Sequence, residues 1–114
     1  MPQRALLLLL LLSTFGCGQS PSSACPSDEQ GACPATALTY DSGIGALLTQ
    51  RCSPCHAPRG DAGRLLTDYQ HAFGQRTGIG TQLVSCSMPP AGAPQLSDAE
   101  RKQILDWLTC GAPQ

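Results

Sequence analysis

The chain has 114 residues, seven Lys+Arg against eight Asp+Glu, a formal net charge of −1 and only five aromatic residues. This length holds one domain at most, and without a basic stripe nucleic acid is not an expected partner. A domain so small buries a limited core, which a large, flat, apolar cofactor would enlarge by offering two faces for packing.

The first sixteen residues read as an export leader. Met1-Pro2-Gln3-Arg4 carries one positive charge. An apolar run from Ala5 to Leu12 follows, and small and polar residues lead to Gly16-Cys17. The apolar run is far short of the ~20 residues that span a bilayer, so residues 1–16 are expected to be a removable signal peptide. Gly16-Cys17 resembles the cleavage site of bacterial lipoproteins, in which the cysteine takes lipid, although Thr14 stands where leucine is usual. Cys17 is therefore the expected lipidation site, and the mature chain is expected on the periplasmic side of a bacterial membrane. Residues 17–39 are rich in Ser, Pro, Gly, Ala and Gln and read as a flexible tether. The folded domain is expected over residues 40–114.

In that domain, Ser42 is expected to cap a short helix to about Arg51, with Ile44, Leu47, Leu48 and Arg51 on one side. Gly43 and Gly45 weaken it while allowing close approach of another helix. At its end stands Cys52-Ser53-Pro54-Cys55-His56, the attachment pattern of a c-type haem. Cys52 and Cys55 would each add across a haem vinyl group as thioethers, and His56 would bind iron through Nε2. Pro54 argues against regular helix through the motif. Residues 57–66 read as loop. Thr67 or Asp68 would cap a brief helix over Tyr69–Phe73 that stops at Gly74, and another helix is expected over Gly78–Ser85 with Ile79, Leu83 and Val84 facing the core. Residues 87–96 carry three prolines and read as an ordered loop. The last helix opens on a capping box, Ser97 with Glu100. Ile104, Leu105 and Leu108 form its apolar face with Trp107 at the edge, and Gly111 and Pro113 end it. The expected fold is all-α, with three to four short helices.

A haem held by His56 needs a ligand on its other face. Met88, in the proline-stiffened Ser87-Met88-Pro89-Pro90 segment, is the only methionine left once Met1 departs with the leader. Its soft thioether is a suitable distal ligand. His71, in a polar and aromatic turn, reads as an exposed or hydrogen-bonded side chain. The seven cysteines then divide without remainder: Cys17 takes lipid, Cys52 and Cys55 take haem, and Cys25, Cys33, Cys86 and Cys110 are left for two disulfides. Three pairings are open; Cys25–Cys33 within the tether and Cys86–Cys110 within the domain are favoured.

On Cys52-x-x-Cys55-His56, the Met88-Pro89-Pro90 loop and Leu96-Ser97-Asp98-Ala99-Glu100 followed by Trp107, residues 40–112 resemble class I cytochrome c. The resemblance implies a cytochrome c-like fold around one covalent haem c, His56 and Met88 as iron ligands, and crossed N- and C-terminal helices. It implies an electron carrier for unidentified redox partner proteins, without an enzyme's substrate site. The family commonly has Gly-Pro-x-Leu after the histidine, with the proline carbonyl accepting the imidazole N–H. Here the nearest match is Gly63-Arg64-Leu65-Leu66, with arginine in place of proline, and the sequence identifies no acceptor for His56.

Two other uses of Cys52 and Cys55 compete. Thiol–disulfide exchange needs a βαβ context with the Cys-x-x-Cys opening a helix, and here the motif follows one. A thiolate metal site needs further ligands, and no second Cys-x-x-Cys supplies them.

Overall fold

The computed structural model describes Cys25, residues 31–60 and residues 63–114. The expected leader, its expected cleavage site and Cys17 lie outside the described residues. The elements in order are a π-helical turn Tyr40–Ile44, α1 Gly45–His56, α2 Tyr69–Gly74, α3 Arg76–Val84 and α4 Asp98–Thr109. No strand occurs among the described residues, and the fold is all-α.

Local chemistry sets most of the boundaries. The Thr39 hydroxyl accepts the Ser42 N–H at 3.1 Å while the Ser42 hydroxyl accepts the Thr39 N–H at 2.7 Å, so the cap lies three residues earlier than Ser42. Asp68 caps α2 through the His71 N–H at 3.0 Å. Ser97 and Glu100 close the reciprocal box on α4, with bonds of 3.1 and 2.8 Å. Gly111, at φ +84°, turns the chain out of α4, a conformation glycine adopts without steric cost.

Helix continues through the Cys-x-x-Cys-His motif, contrary to the expectation from Pro54. Proline removes the N–H that would bond to the Gln50 carbonyl and crowds that oxygen with its ring; Pro54 stands two residues before the end of α1, with Gln50 an exposed residue, where little helix remains to be disrupted. The motif is thus the last turn of α1.

The core is built from Ile44 and Leu48 of the first segment, Ala72, Leu83, Ile104, Leu105, Trp107 and Ala112. Trp107, expected at the edge of the α4 face, is fully buried instead. Its Nε1–H donates to the Pro113 carbonyl at 2.8 Å, which supplies the partner that a buried indole requires. The chain end folds back over it, and the Tyr40 N–H donates to the same Pro113 carbonyl at 3.0 Å. Val84, expected to face the core, is 44% exposed at the end of α3. The glycines near α1 accommodate a different neighbour from the one expected: a Cβ on Gly45 would lie 2.7 Å from the Tyr40 ring, so the close approach is to the entry turn.

The disulfides differ from the expected pairs. Cys25 bonds to Cys86 and Cys33 to Cys110, with Cα–Cα distances of 5.7 and 4.8 Å; neither Cys25–Cys33 nor Cys86–Cys110 forms. The reason is the path of the N-terminal segment. Leu38 packs on the core and Tyr40 bonds to the chain end, which brings Cys33 to Cys110 and leaves Cys86 for Cys25. The residues read as a free tether are therefore fastened to the domain at two points. Chain-entropy estimates for loops of 61 and 77 residues give about 4–4.5 kcal/mol each, against about 2.5–3.5 for the two short local loops.

Arg51, in α1, reaches Glu100, in the first turn of α4, through Nε at 2.8 Å and Nη2 at 2.7 Å. The Ser97 N–H and this guanidinium hold the Glu100 carboxyl below its ordinary pKa. A folded-state pKa below the unfolded one adds stability above the unfolded value, and that stability is lost as pH falls through the folded value. Glu100→Gln should therefore lower the thermal midpoint at neutral pH. The gap from the parent chain should close as pH falls below the ordinary carboxylate pKa of about 4.3. An unchanged gap across that range, in a thermal melt series, would assign the acid dependence elsewhere.

Candidate functional site

Cys52, Cys55 and His56 lie together on the last turn of α1. Neither cysteine is in a disulfide. Cys52 is half-buried and packs against the core, whereas Cys55 is exposed. Burial, with a smaller contribution from Cys55, pushes the Cys52 thiol up to about 11. It therefore stays protonated at neutral pH.

The chain turns sharply after His56. The Gly60 N–H donates to the Ala57 carbonyl at 2.8 Å, and a Cβ at residue 60 would collide with the Cys55 carbonyl oxygen. Glycine is needed there for the backbone to pass its own helix end. The chain then returns along the same helix end. The Leu66 N–H donates to the His56 carbonyl at 3.0 Å, and Leu66 is buried.

This return supplies the acceptor that the sequence left unidentified. His56 Nδ1 lies 2.8 Å from the Arg64 carbonyl oxygen. A carbonyl only accepts, so Nδ1 carries the proton and donates. In the neutral ring, Nε2 then holds the lone pair, and it makes no hydrogen bond among the described residues. Arg64 acts here through its backbone; the side chain reaches Gln75 Oε1 at 3.4 Å. The oxygen that accepts from His56 is thus a main-chain one, whatever side chain residue 64 carries. Buttressing an imidazole through one nitrogen fixes the ring and raises the basicity of the other, as metal-binding histidines require.

Met88 belongs to a different element, the loop between α3 and α4, and its side chain is 39% exposed. Its N–H approaches the Gln82 carbonyl at 3.4 Å, beside the Ser87 N–H at 3.0 Å. The Gln95 side-chain amide donates to the Pro90 and Ala93 carbonyls at 3.0 and 2.9 Å. It organises the loop in a way the sequence reading missed, since nothing in a lone glutamine after three prolines announces it. No hydrogen bond joins Met88 to His56. His71 is exposed, and its Nδ1 lies 2.6 Å from Asp68 Oδ2.

A cleft of about 680 Å³ between α3 and α4 is lined by Arg76, Thr77, Gly80, Thr81, Val84 and Leu108 among others. None of the four motif and loop residues lines it. No three His, Cys, Asp or Glu side chains among the described residues are grouped to hold a metal ion by themselves.

Two outcomes follow. Because the acceptor is a backbone oxygen, Arg64→Ala should leave neutral His56 protonated on Nδ1, as read from ring-nitrogen NMR of the haem-free chain. An Nε2-protonated ring in the parent chain would remove the basis of the assignment. A thiol raised from 9.0 to about 11 has a thiolate fraction about two orders of magnitude below that of an ordinary thiol at neutral pH. Iodoacetamide should therefore alkylate exposed Cys55 first at neutral pH, with Cys52 catching up only in strong alkali; equal labelling by peptide mass mapping would contradict this.

No family model, curated protein or solved structure matches this chain.

Proposed function

We propose that the chain is an exported one-electron carrier of the class I cytochrome c type, holding one covalent haem c. Cys52 and Cys55 supply the thioether sulfurs, His56 is the proximal iron ligand and Met88 the distal one. The observation that carries this reading is the hydrogen bond from His56 Nδ1–H to the Arg64 carbonyl. It leaves Nε2 as a lone-pair donor at the residue after a Cys-x-x-Cys turn.

The other residues fit the same role. Cys52 and Cys55 are unpaired while the four remaining described cysteines are bonded. Their i, i+3 spacing on one helical turn puts both sulfurs on the same side of α1. Met88 offers a soft sulfur from a loop stiffened by Pro89 and Pro90 and braced by Gln95. When bound, the haem supplies reversible one-electron chemistry at iron. The chain's own part is to orient the imidazole, hold the two sulfurs on a fixed helix end and present the thioether. With His56 and Met88 both bound to the iron, the site would suit electron transfer between partner proteins better than bond chemistry. The proposed lipid on Cys17 places the carrier at the periplasmic side of a bacterial membrane.

Thiol–disulfide exchange at Cys52 and Cys55 is disfavoured. Catalytic cysteines of that kind have a lowered pKa at a helix N-terminus; Cys52 lies at a helix C-terminal end with its thiol raised.

The decisive experiment is expression in a host with c-type haem maturation, followed by denaturing electrophoresis with haem staining and a pyridine haemochrome spectrum. Covalent haem is expected in the parent chain and its loss in Cys52→Ala plus Cys55→Ala. The absorption band of methionine-ligated ferric haem should persist in His71→Ala and vanish in Met88→Ala. Absence of covalent haem in the parent chain would end the proposal.

A further inference from the structure

We infer that the Cys25–Cys86 disulfide is a thiol–disulfide exchange site whose reactant is an exported protein dithiol, while Cys33–Cys110 is the lasting fastening of the N-terminal segment. Two observations single out the first bond. The Arg101 side chain is buried, 6% exposed, and its Nη1 lies 2.8 Å from Cys86 Sγ and 3.2 Å from Cys25 Sγ. Its Nη2 also meets the exposed Asp98 carboxylate at 3.4 Å. Cys86 itself sits at φ +52°, a left-handed conformation that a non-glycine residue keeps only when its surroundings impose it; exposure does not separate the two bonds, since Cys33 and Cys86 are both exposed. By contrast, no cationic side chain donates to Cys33 or Cys110 Sγ among the described residues.

The guanidinium lies nearer Cys86, which sets the direction of reaction. One thiolate of the dithiol attacks Cys25 Sγ, a new S–S bond forms as the Cys25–Cys86 bond breaks, and the electron pair goes to Cys86 Sγ. Arg101 is already in place to stabilise the negative charge developing there. The second thiol of the reductant then attacks the mixed disulfide and expels the Cys25 sulfur. The reductant leaves as its own disulfide, two electrons have passed to the chain, and the dithiol's two protons end on Cys25 and Cys86.

The consequence falls on the loop that follows. Cys86 stands two residues before Met88, whose N–H shares the Gln82 carbonyl with that of Ser87. Once the bond opens, Cys86 is free to leave its left-handed conformation and the start of the Met88 loop loosens. This consequence rests on the proposed His56–Met88 iron site; the exchange chemistry does not.

The test is disulfide mapping of the oxidised full-length chain, with Cys52 and Cys55 blocked first where they carry no haem. Limiting dithiothreitol, quenching with iodoacetamide and peptide mass analysis should show Cys25–Cys86 opening at least about tenfold faster than Cys33–Cys110. Arg101→Gln should bring the two rates together while its thermal melt confirms folding. Glutathione in place of dithiothreitol should be trapped on Cys25. Equal rates or faster opening of Cys33–Cys110 in the parent chain would overturn the inference, as would an undiminished preference in folded Arg101→Gln. If that variant does not fold, the trapped adduct decides: glutathione on Cys25 upholds the direction of attack, and glutathione on Cys86 refutes it.

Discussion

The burial of Trp107 organises the whole domain. An indole taken fully out of water removes about 200 Å² from solvent, a stabilisation of about 5 kcal/mol as an upper figure. That is comparable to the entire stability of a small domain. It requires a hydrogen-bond partner for the ring N–H, and the chain end provides one by turning at Gly111 and returning over the ring. The Ala112 N–H closes that turn on the Trp107 carbonyl at 2.9 Å, Tyr69 donates its hydroxyl to the Ala112 carbonyl at 3.1 Å, and the Tyr40 N–H joins the indole on Pro113. The Tyr40 ring stands between Tyr69 and Trp107, with centroids 5.4 and 6.3 Å away. The entry to α1, the start of α2 and the end of α4 thus meet at three residues of the tail.

From this hub the candidate site is reached along α1. Ile44 and Leu48 anchor its first half in the core, and Arg51 ties its second half to Glu100 at the start of α4. The last turn, with Cys52, Cys55 and His56, is held from both directions before any loop residue contributes. Residues 64–66 then clamp the histidine by two bonds of opposite sense: the Leu66 N–H donates to the His56 carbonyl, and the His56 ring donates to the Arg64 carbonyl. The ring orientation depends on a backbone path, which needs glycine at 60 and an apolar anchor at 66. It is indifferent to which side chain occupies position 64.

These relations explain what was legible in the sequence. The Ser97–Glu100 box, the Asp68 cap, the stop at Gly74 and the proline-bound loop are decided within a few residues, so the pattern of the chain carries them. The Arg64 acceptor was hidden because a sequence pattern records side chains, while this hydrogen bond belongs to a backbone carbonyl. The disulfides were misread because pairing was judged by nearness in sequence. Their true partners follow from Leu38 and Tyr40, apolar and aromatic residues before the first helix that pack on the core and the chain end. Helix through Pro54 runs against the local pattern, in which proline inside a helix reads as a stop.

The two disulfides divide their work according to where they attach. Cys33–Cys110 joins the N-terminal segment to the residue that caps α4, next to the Trp107 tail. Cys25–Cys86 reaches the more exposed end of α3, where the loop carrying Met88 begins. A lipid on Cys17, as proposed, would change its meaning with this second bond. A tether free to residue 39 reaches roughly 70–80 Å at full extension; one fastened at Cys25 reaches only about 26–29 Å. Closing the Cys25–Cys86 bond would then hold the domain close to the membrane with the Met88 loop beside its point of attachment. Opening it, with Cys33 still bonded to Cys110, would extend the free segment to Cys33 and about double that reach.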